Sequence, residues 1–321
     1  MKILIVGCGY VGSEVVRQAP TDAEITVLTR SRDRFEELRD LGVEPVFGHW
    51  LSLSGLSSEG DSPSPNSPDR SLDSASGSDS ESESNWAIHP PEVDAILVAV
   101  PHREDNAAGE QTHVLGLQNL ERAYLHAAQR DSKRQSLPPL IYLSTTGVYG
   151  QADDCVVTEE TPVSPTRIGP RIAVAAEQWL QQNSNWTTRV LRLAGIYGPD
   201  RVPLAAKLRS GEPLTVPQDG YLNLVHVADI AAVIWQLIQA PTSETTYVLS
   251  DANPVLRKDF YHYLASLCDV DEPVFEAPDP TSTRARRAGN KRVNPERIFR
   301  DLELELRYPD YQCGLSQALG S

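Results

Sequence analysis

Gly7, Gly9 and Gly12 follow the apolar run Lys2–Val6 and open a helical pattern over 11–18, in the stretch VGCGYVG. That spacing serves one chemistry. The first glycine permits a tight turn, the second lets the backbone approach a pyrophosphate, and the third lets the helix pack closely on the strand. The helix start then presents free N–H groups and a partial positive charge to the phosphates. A dinucleotide site is expected here, with Tyr10 and Val11 inside the loop and Val100 after the fourth strand as further cofactor contacts.

The end of the second strand selects the dinucleotide. A site for NAD usually offers an acid there to the ribose hydroxyls. This chain reads VLTRSRDRF, with Thr29, Arg30, Ser31 and Arg32 at that place, and Asp33 falls later, at a helix start. Arg30 and Arg32 can hold a 2′-phosphate through charge-assisted bonds. The expected cofactor is therefore NADP in preference to NAD.

These residues need a frame. Strands are expected at 2–6, 24–28, 43–50, 93–100, 140–144 and 187–193, with helices at 33–40, 108–130 and about 170–182 between them. Strands that are apolar throughout and alternate with helices imply an α/β fold, a doubly wound Rossmann-type parallel sheet with right-handed crossovers. After GIYGPD the alternation breaks up. A small, mostly helical C-terminal substrate lobe is expected from 200–221 with 251–321. The Rossmann domain takes 1–199 with 222–250, and 221–238 is expected to return to the main sheet.

Residues 52–86 interrupt this order. They carry seven acids against Arg70 alone, and 52–85 contain fourteen serines, with little to bury. Such a segment cannot offset its ordering entropy, so a disordered surface insertion is expected. The 321-residue chain has a formal net charge of −15, which argues against nucleic-acid and anionic-membrane partners. By contrast 284–300 holds seven basic residues and one Glu, either a solvated face or a contact for an anionic group. Cys8, Cys155, Cys268 and Cys313 form no C-x-x-C pair, which suits reduced thiols in a cytoplasm and no metal site. No apolar run reaches membrane-spanning length and the N-terminus lacks a signal-peptide pattern, so a cytoplasmic location is expected.

Four stretches together resemble the NAD(P)-dependent epimerase/dehydratase family, the extended branch of the short-chain dehydrogenase/reductase superfamily. They are GCGYVG at 7–12, YLSTTGVYG at 142–150, RLAGIYGPD at 192–200 and NLVHVADIA at 223–231, in the family's order and spacing. The resemblance implies NAD(P) binding, a small-molecule substrate such as a nucleotide sugar, and a homodimer through a two-helix face. It also implies that Thr145 is the catalytic hydroxyl, bonding a substrate oxygen at the nicotinamide. Arg171, Arg201 and His226 are the candidates for substrate binding.

The family's Tyr-x-x-x-Lys pair does not carry over. Counting back from Glu177, its two places hold Gly169 and Ala173. The i, i+4 spacing would put both side chains on one helix face. Glycine and alanine can neither donate a proton nor hold a ribose. Arg167 and Arg171 stand nearby and can bind anions, but an arginine cannot act as a general base. Tyr149, Tyr197 and His102 are the remaining proton-transfer candidates. The chain is thus similar to atypical members of the superfamily that lack the pair. Two readings follow, an oxidoreductase or epimerase-like enzyme and a non-catalytic NADP-binding sensor or scaffold.

Overall fold

The computed structural model describes residues 1–51, 90–103, 108–130, 136–150, 153–182, 185–240, 244–277 and 290–320. The serine-rich acidic segment and the arginines at 284–287 lie outside the described residues.

Seven parallel strands form the central sheet. They are β1 (Lys2–Val6), β2 (Glu24–Thr29), β3 (Glu44–Phe47), β4 (Ala95–Val98), β5 (Leu140–Thr145), β7 (Thr188–Leu193) and β12 (Thr246–Leu249). Their order is β12-β7-β5-β4-β1-β2-β3. The central strands are apolar because helices cover both faces: the four residues of β4 and the last four of β1 are all buried. Strand order reverses between β1 and β4, the switch point where open α/β sheets bind ligands.

One face packs beneath α1 (Tyr10–Arg17) and α6 (Val227–Gln239), around Ile5, Val15, Leu191 and Ile234. The other packs beneath α3 (Thr112–Arg130) and α4 (Ile168–Gln182), around Leu4, Ile96, Leu117 and Tyr142. A separate cluster, centred on Tyr197, Leu208, Phe260, Leu264 and Leu315, joins α5 (Ala205–Arg209), α7 (Arg257–Leu267) and the last helix, Tyr311–Leu319. Among the described residues four short pairs complete the fold. They are β6 (Cys155–Val157) with β15 (Lys291–Val293), β8 (Gly195–Tyr197) with β11 (Leu224–His226), β9 (Leu214–Thr215) with β14 (Phe275–Glu276), and β10 (Tyr221–Leu222) with β13 (Val255–Leu256).

Two expectations are refined. Residues 221–238 return to the main sheet as a covering helix, α6, and not as a strand of it. Their strands pair with β13 and β8, and their helix α6 packs on α1, where the Trp235 indole donates to Val15 O at 2.9 Å. β12 is the strand that joins the sheet there, beside β7. The third strand is also shorter than 43–50. It ends at Phe47, where Gly48 N donates to Thr29 O and the chain turns. Trp50 then lies edge-on to His113 at the start of α3, and Asn119 donates to the carbonyls of Trp50 and Leu51.

The C-terminal segment is tied to α6 by polar bonds. The Asp229 carboxylate, in the first turn of that helix, accepts from Arg307 N at 2.7 Å and Tyr308 N at 3.1 Å. An acid there also suits the helix dipole. Among the described residues no helix is long and apolar enough to cross a membrane. No group of three or more His, Cys, Asp and Glu among them is placed to hold a metal ion.

Candidate active site

The glycine loop leaves β1 at Gly7, whose φ of +81° is the left-handed region that favours glycine. A Cβ there would press on Val100 and the Ala99 carbonyl at 3.1–3.3 Å. A Cβ on Gly12 would lie 3.1 Å from Gly7 O, so close helix–strand packing excludes a side chain. Gly9 is different. It caps α1 at φ −87°, and a Cβ on it would meet no other atom within 4 Å. The space above Gly9, at the N-terminus of α1, is an open cradle bounded by backbone, which fits a pyrophosphate.

A cavity of about 350 Å³ runs from this loop over the ends of β1, β2 and β4. Arg30, Ser31, Arg34 and His49 line its far end, where a ribose attached to the pyrophosphate would reach. The Arg30 guanidinium stands 3.5 Å from His49 Nε2. Arg32 does not line this cavity; its guanidinium lies 4.0 Å over the Phe47 ring. Arg34, which the sequence reading passes over, does line it. It donates to Cys8 O in the glycine loop and to Ser13 Oγ at 3.4 Å, and pairs with Glu37 at 2.9 Å. Nothing in the sequence separates it from Arg30 and Arg32, since the turn after β2 decides which of the three faces the loop.

A second cavity of about 360 Å³ adjoins the first through Gly9, Ala99, Val100 and Pro101. The ends of β4, β5 and β7 open into it, and Tyr10, Val11, His102, Ser144, Thr145 and Arg201 line it. Thr145 is the last residue of β5. Its Oγ1 accepts from Gly147 N at 3.0 Å, an arrangement in which the hydroxyl hydrogen can point to a ligand. Arg201 lies over the Tyr10 ring at 5.2 Å, and the Tyr10 hydroxyl donates to Pro199 O at 2.8 Å. Burial pushes the Tyr10 phenol up to about 12.

The two family positions on α4 are occupied by packing. A Cβ on Gly169 would sit 3.0 Å from His102 O, and Ala173 is fully buried among Val148, Tyr149, Val157 and Val293. Arg171 is not among the cavity-lining residues and pairs with Glu110 at 3.2 Å on the surface. His226 lines neither cavity. It is buried, caps α6 by accepting from Ala228 N at 3.2 Å, and sits 2.9 Å from Gln317 Oε1 with its ring against Tyr308. Tyr197 is buried in the C-terminal cluster.

Behind the Thr145 strand lies a buried ion pair. Arg192 Nη2 meets Glu177 Oε2 at 2.7 Å, Ser144 Oγ donates to the same carboxylate, and Arg192 Nη1 donates to the Tyr149 hydroxyl at 2.7 Å. A carboxylate on an apolar helix face gives no hint in sequence of the arginine that meets it from the next strand, β7.

Residues 3–250 match the model of the NAD dependent epimerase/dehydratase family. Protein YeeZ of Escherichia coli strain K12 is 30% identical over 220 residues, 68% of this chain and 73% of that protein. A conserved protein of unknown function from Silicibacter pomeroyi is 29% identical with a TM-score of 0.72, covering 99% of this chain and 98% of that one. A putative NAD-dependent epimerase/dehydratase from Methylobacillus flagellatus is 25% identical with a TM-score of 0.71, over 99% and 97%. UDP-glucose 4-epimerase from Bifidobacterium longum, solved with NAD+ and UDP, shares the fold at 13% identity and a TM-score of 0.72, over 99% and 97%. The glycine loop, the switch-point cleft and these matches converge: the chain belongs to the NAD-dependent epimerase/dehydratase family, and its cofactor is a nicotinamide dinucleotide.

Proposed function

We propose that the protein is an NADP-preferring oxidoreductase or nucleotide-sugar epimerase/dehydratase-like enzyme with an atypical active site. One observation carries this reading. The dinucleotide cavity and the Thr145 cavity share the wall Gly9–Val100, so a bound cofactor and a substrate oxygen at Thr145 would meet. The lobe built around Phe260 and Leu264 packs as a separate core beside the Rossmann domain, and four free thiols suit a cytoplasmic protein. Leu115 and Leu125, exposed on α3, support a homodimer through the α3–α4 face.

An anionic substrate fits the charges near Thr145. Arg167 Nη2 and Thr145 Oγ1 each lie 3.2 Å from the point a Cβ on Gly147 would occupy. Lys291 donates to Tyr149 O at 3.1 Å. Burial first, then Arg167 and Arg257, push its ammonium down to about 8. Arg201, which lines the Thr145 cavity, adds positive charge that favours a phosphate-bearing ligand. The Bifidobacterium longum epimerase of the same fold holds UDP.

The cofactor preference is tested at Arg30. A charge-assisted hydrogen bond contributes about 1.5–3 kcal/mol, and tenfold in affinity is about 1.4 kcal/mol. Arg30→Ala should therefore weaken NADPH binding about tenfold or more by calorimetric titration, leaving NADH within about twofold. Tighter binding of NADH by the unsubstituted protein would sink the assignment.

Activity is tested by following NADPH absorbance with a panel of nucleotide sugars, aldehydes and ketones, with chromatography for redox-neutral products. Thr145→Ala should cut kcat about 100-fold, the scale of one donor at a developing oxyanion, and Thr145→Ser should restore most of it. The replacement of the proton-donor pair by Gly169 and Ala173 favours a second reading, an NADP-binding sensor. Tight NADPH binding without turnover on any member of the panel would select it.

A further inference from the structure

With residue 169 a glycine, another group stands where its side chain would grow. A Cβ there would lie 3.0 Å from His102 O and 3.7 Å from His102 Cβ. His102 lines the cavity that Thr145 lines, at the end of β4. We propose that His102 is the proton-exchanging residue of this site, with Tyr142 and His113 as a relay behind it. This rests on the oxidoreductase reading above.

The relay is continuous. His102 Nε2 is 3.1 Å from the Tyr142 hydroxyl, that hydroxyl is 2.7 Å from His113 Nδ1, and His113 Nε2 is 3.2 Å from Pro101 O. The two imidazoles stack at 4.8 Å between centroids with 24° between planes. Its direction follows from its end. A carbonyl can only accept, so His113 Nε2 carries the hydrogen and Nδ1 is the acceptor. Tyr142 therefore donates to His113 and accepts from His102 Nε2–H. His102 Nδ1 is left with the lone pair.

Tyr142 and His113 are fully buried, so each break in the chain would strand a polar group. Burial, followed by the neighbouring His113, pushes His102 down to about 3, and burial pushes His113 down to about 4. Both rings are neutral at pH 7, which keeps the lone pair in place. The Leu143 main chain beside His102 favours the protonated ring and supports it when it takes a proton.

The step balances. In oxidation of an alcohol a bound oxidised nicotinamide would accept the hydride, with both electrons, of the substrate C–H bond that breaks. The O–H bond breaks as its proton moves to His102 Nδ1, and the carbonyl forms. His102 can then pass its Nε2 proton to Tyr142 while Tyr142 passes its own to His113 Nδ1, leaving the charge on His113 beside Pro101 O. Carbonyl reduction runs the same transfers backwards and consumes one proton, which the relay must first take up from solvent before His102 Nδ1 can deliver it.

Two measurements on the full chain test this. In protein carrying 15N-histidine, nitrogen–proton NMR at pH 6 should show both His102 and His113 neutral with the proton on Nε2. A charged His102, or a proton resting on its Nδ1, overturns the relay. Kinetics with NADPH and 9,10-phenanthrenequinone as carbonyl probe form the second arm. His102→Ala should lower kcat by about 10²–10⁴-fold, with KM for NADPH little changed, and added imidazole should restore at least about tenfold of it. Tyr142→Phe, checked for folding by urea denaturation, should lower kcat less and add nothing to His102→Ala. Unchanged kcat in His102→Ala, or a loss that imidazole does not rescue, overturns the proposal alone. An unsubstituted protein that binds NADPH yet turns over neither the quinone nor the panel overturns the oxidoreductase reading and the proton role with it.

Discussion

Arg192→Met is expected to destabilise the protein by about 3–5 kcal/mol, the cost of leaving a buried carboxylate without its partner. Glu177 and Arg192 are both buried, and three bonds of 2.7–3.2 Å run from the guanidinium to the carboxylate. Ser144 adds a fourth bond to the acid, but a neutral hydroxyl cannot replace the cation. A domain's whole stability is about 5–15 kcal/mol, so this one change takes a large share of it. The check is urea unfolding with the slope held common to both proteins. Glu177→Gln combined with Arg192→Met should recover much of the loss, because it removes the buried charge rather than isolating it. A loss below about 1 kcal/mol for the single variant would show that water reaches Glu177. The pair also braces the end of β5, so cofactor binding should survive better than the position of Thr145.

Gly9→Val is expected to abolish cofactor binding while sparing the fold. No other atom lies within 4 Å of a Cβ on Gly9, and its φ of −87° suits any residue, so the valine meets no protein atom there. It fills the cradle instead. Loss of two backbone bonds to phosphate, at about 1.5–3 kcal/mol each, predicts at least about 100-fold weaker NADPH binding. Thermal unfolding of the free protein should stay close to that of the unsubstituted chain. Gly7→Ala is the contrasting control. Its φ of +81° costs an alanine about 1–2 kcal/mol, so it should lose stability as well as affinity. Titration of NADPH fluorescence reads the first effect and a melting curve the second. Unweakened NADPH binding by Gly9→Val would place the dinucleotide elsewhere.

How much of this was legible depends on how local each feature is. The strand–glycine–helix unit lies within 17 residues, and its chemistry follows from backbone conformation alone. The apolar strands announced a parallel sheet because burial on both faces removes the period-2 pattern. The apolar stretch 227–239 left its element type open for the same reason, since a helix buried nearly all round resembles a buried strand. The two- and three-residue strands have too few positions to show any periodicity. His102, His113 and Tyr142 are separated by 11 and 29 residues and meet only through the sheet order. Arg34 was hidden by its neighbours: three arginines in five residues look alike until the turn after β2 sends one over Phe47 and one back to the glycine loop.

The glycine at 169 and the alanine at 173 bear on which side chains this backbone can accept. Restoring tyrosine at 169 would drive a side chain into the His102 main chain, 3.0 Å from where it begins. Restoring lysine at 173 would push an ammonium into the apolar set around Val148 and Val293. Neither reversal is tolerated unless the loop after β4 and the β6–β15 pair move first. Both substitutions are, on this backbone, steps uphill. The packing around positions 169 and 173 thus acts as a filter on side-chain size and charge, admitting the two smallest residues and little else.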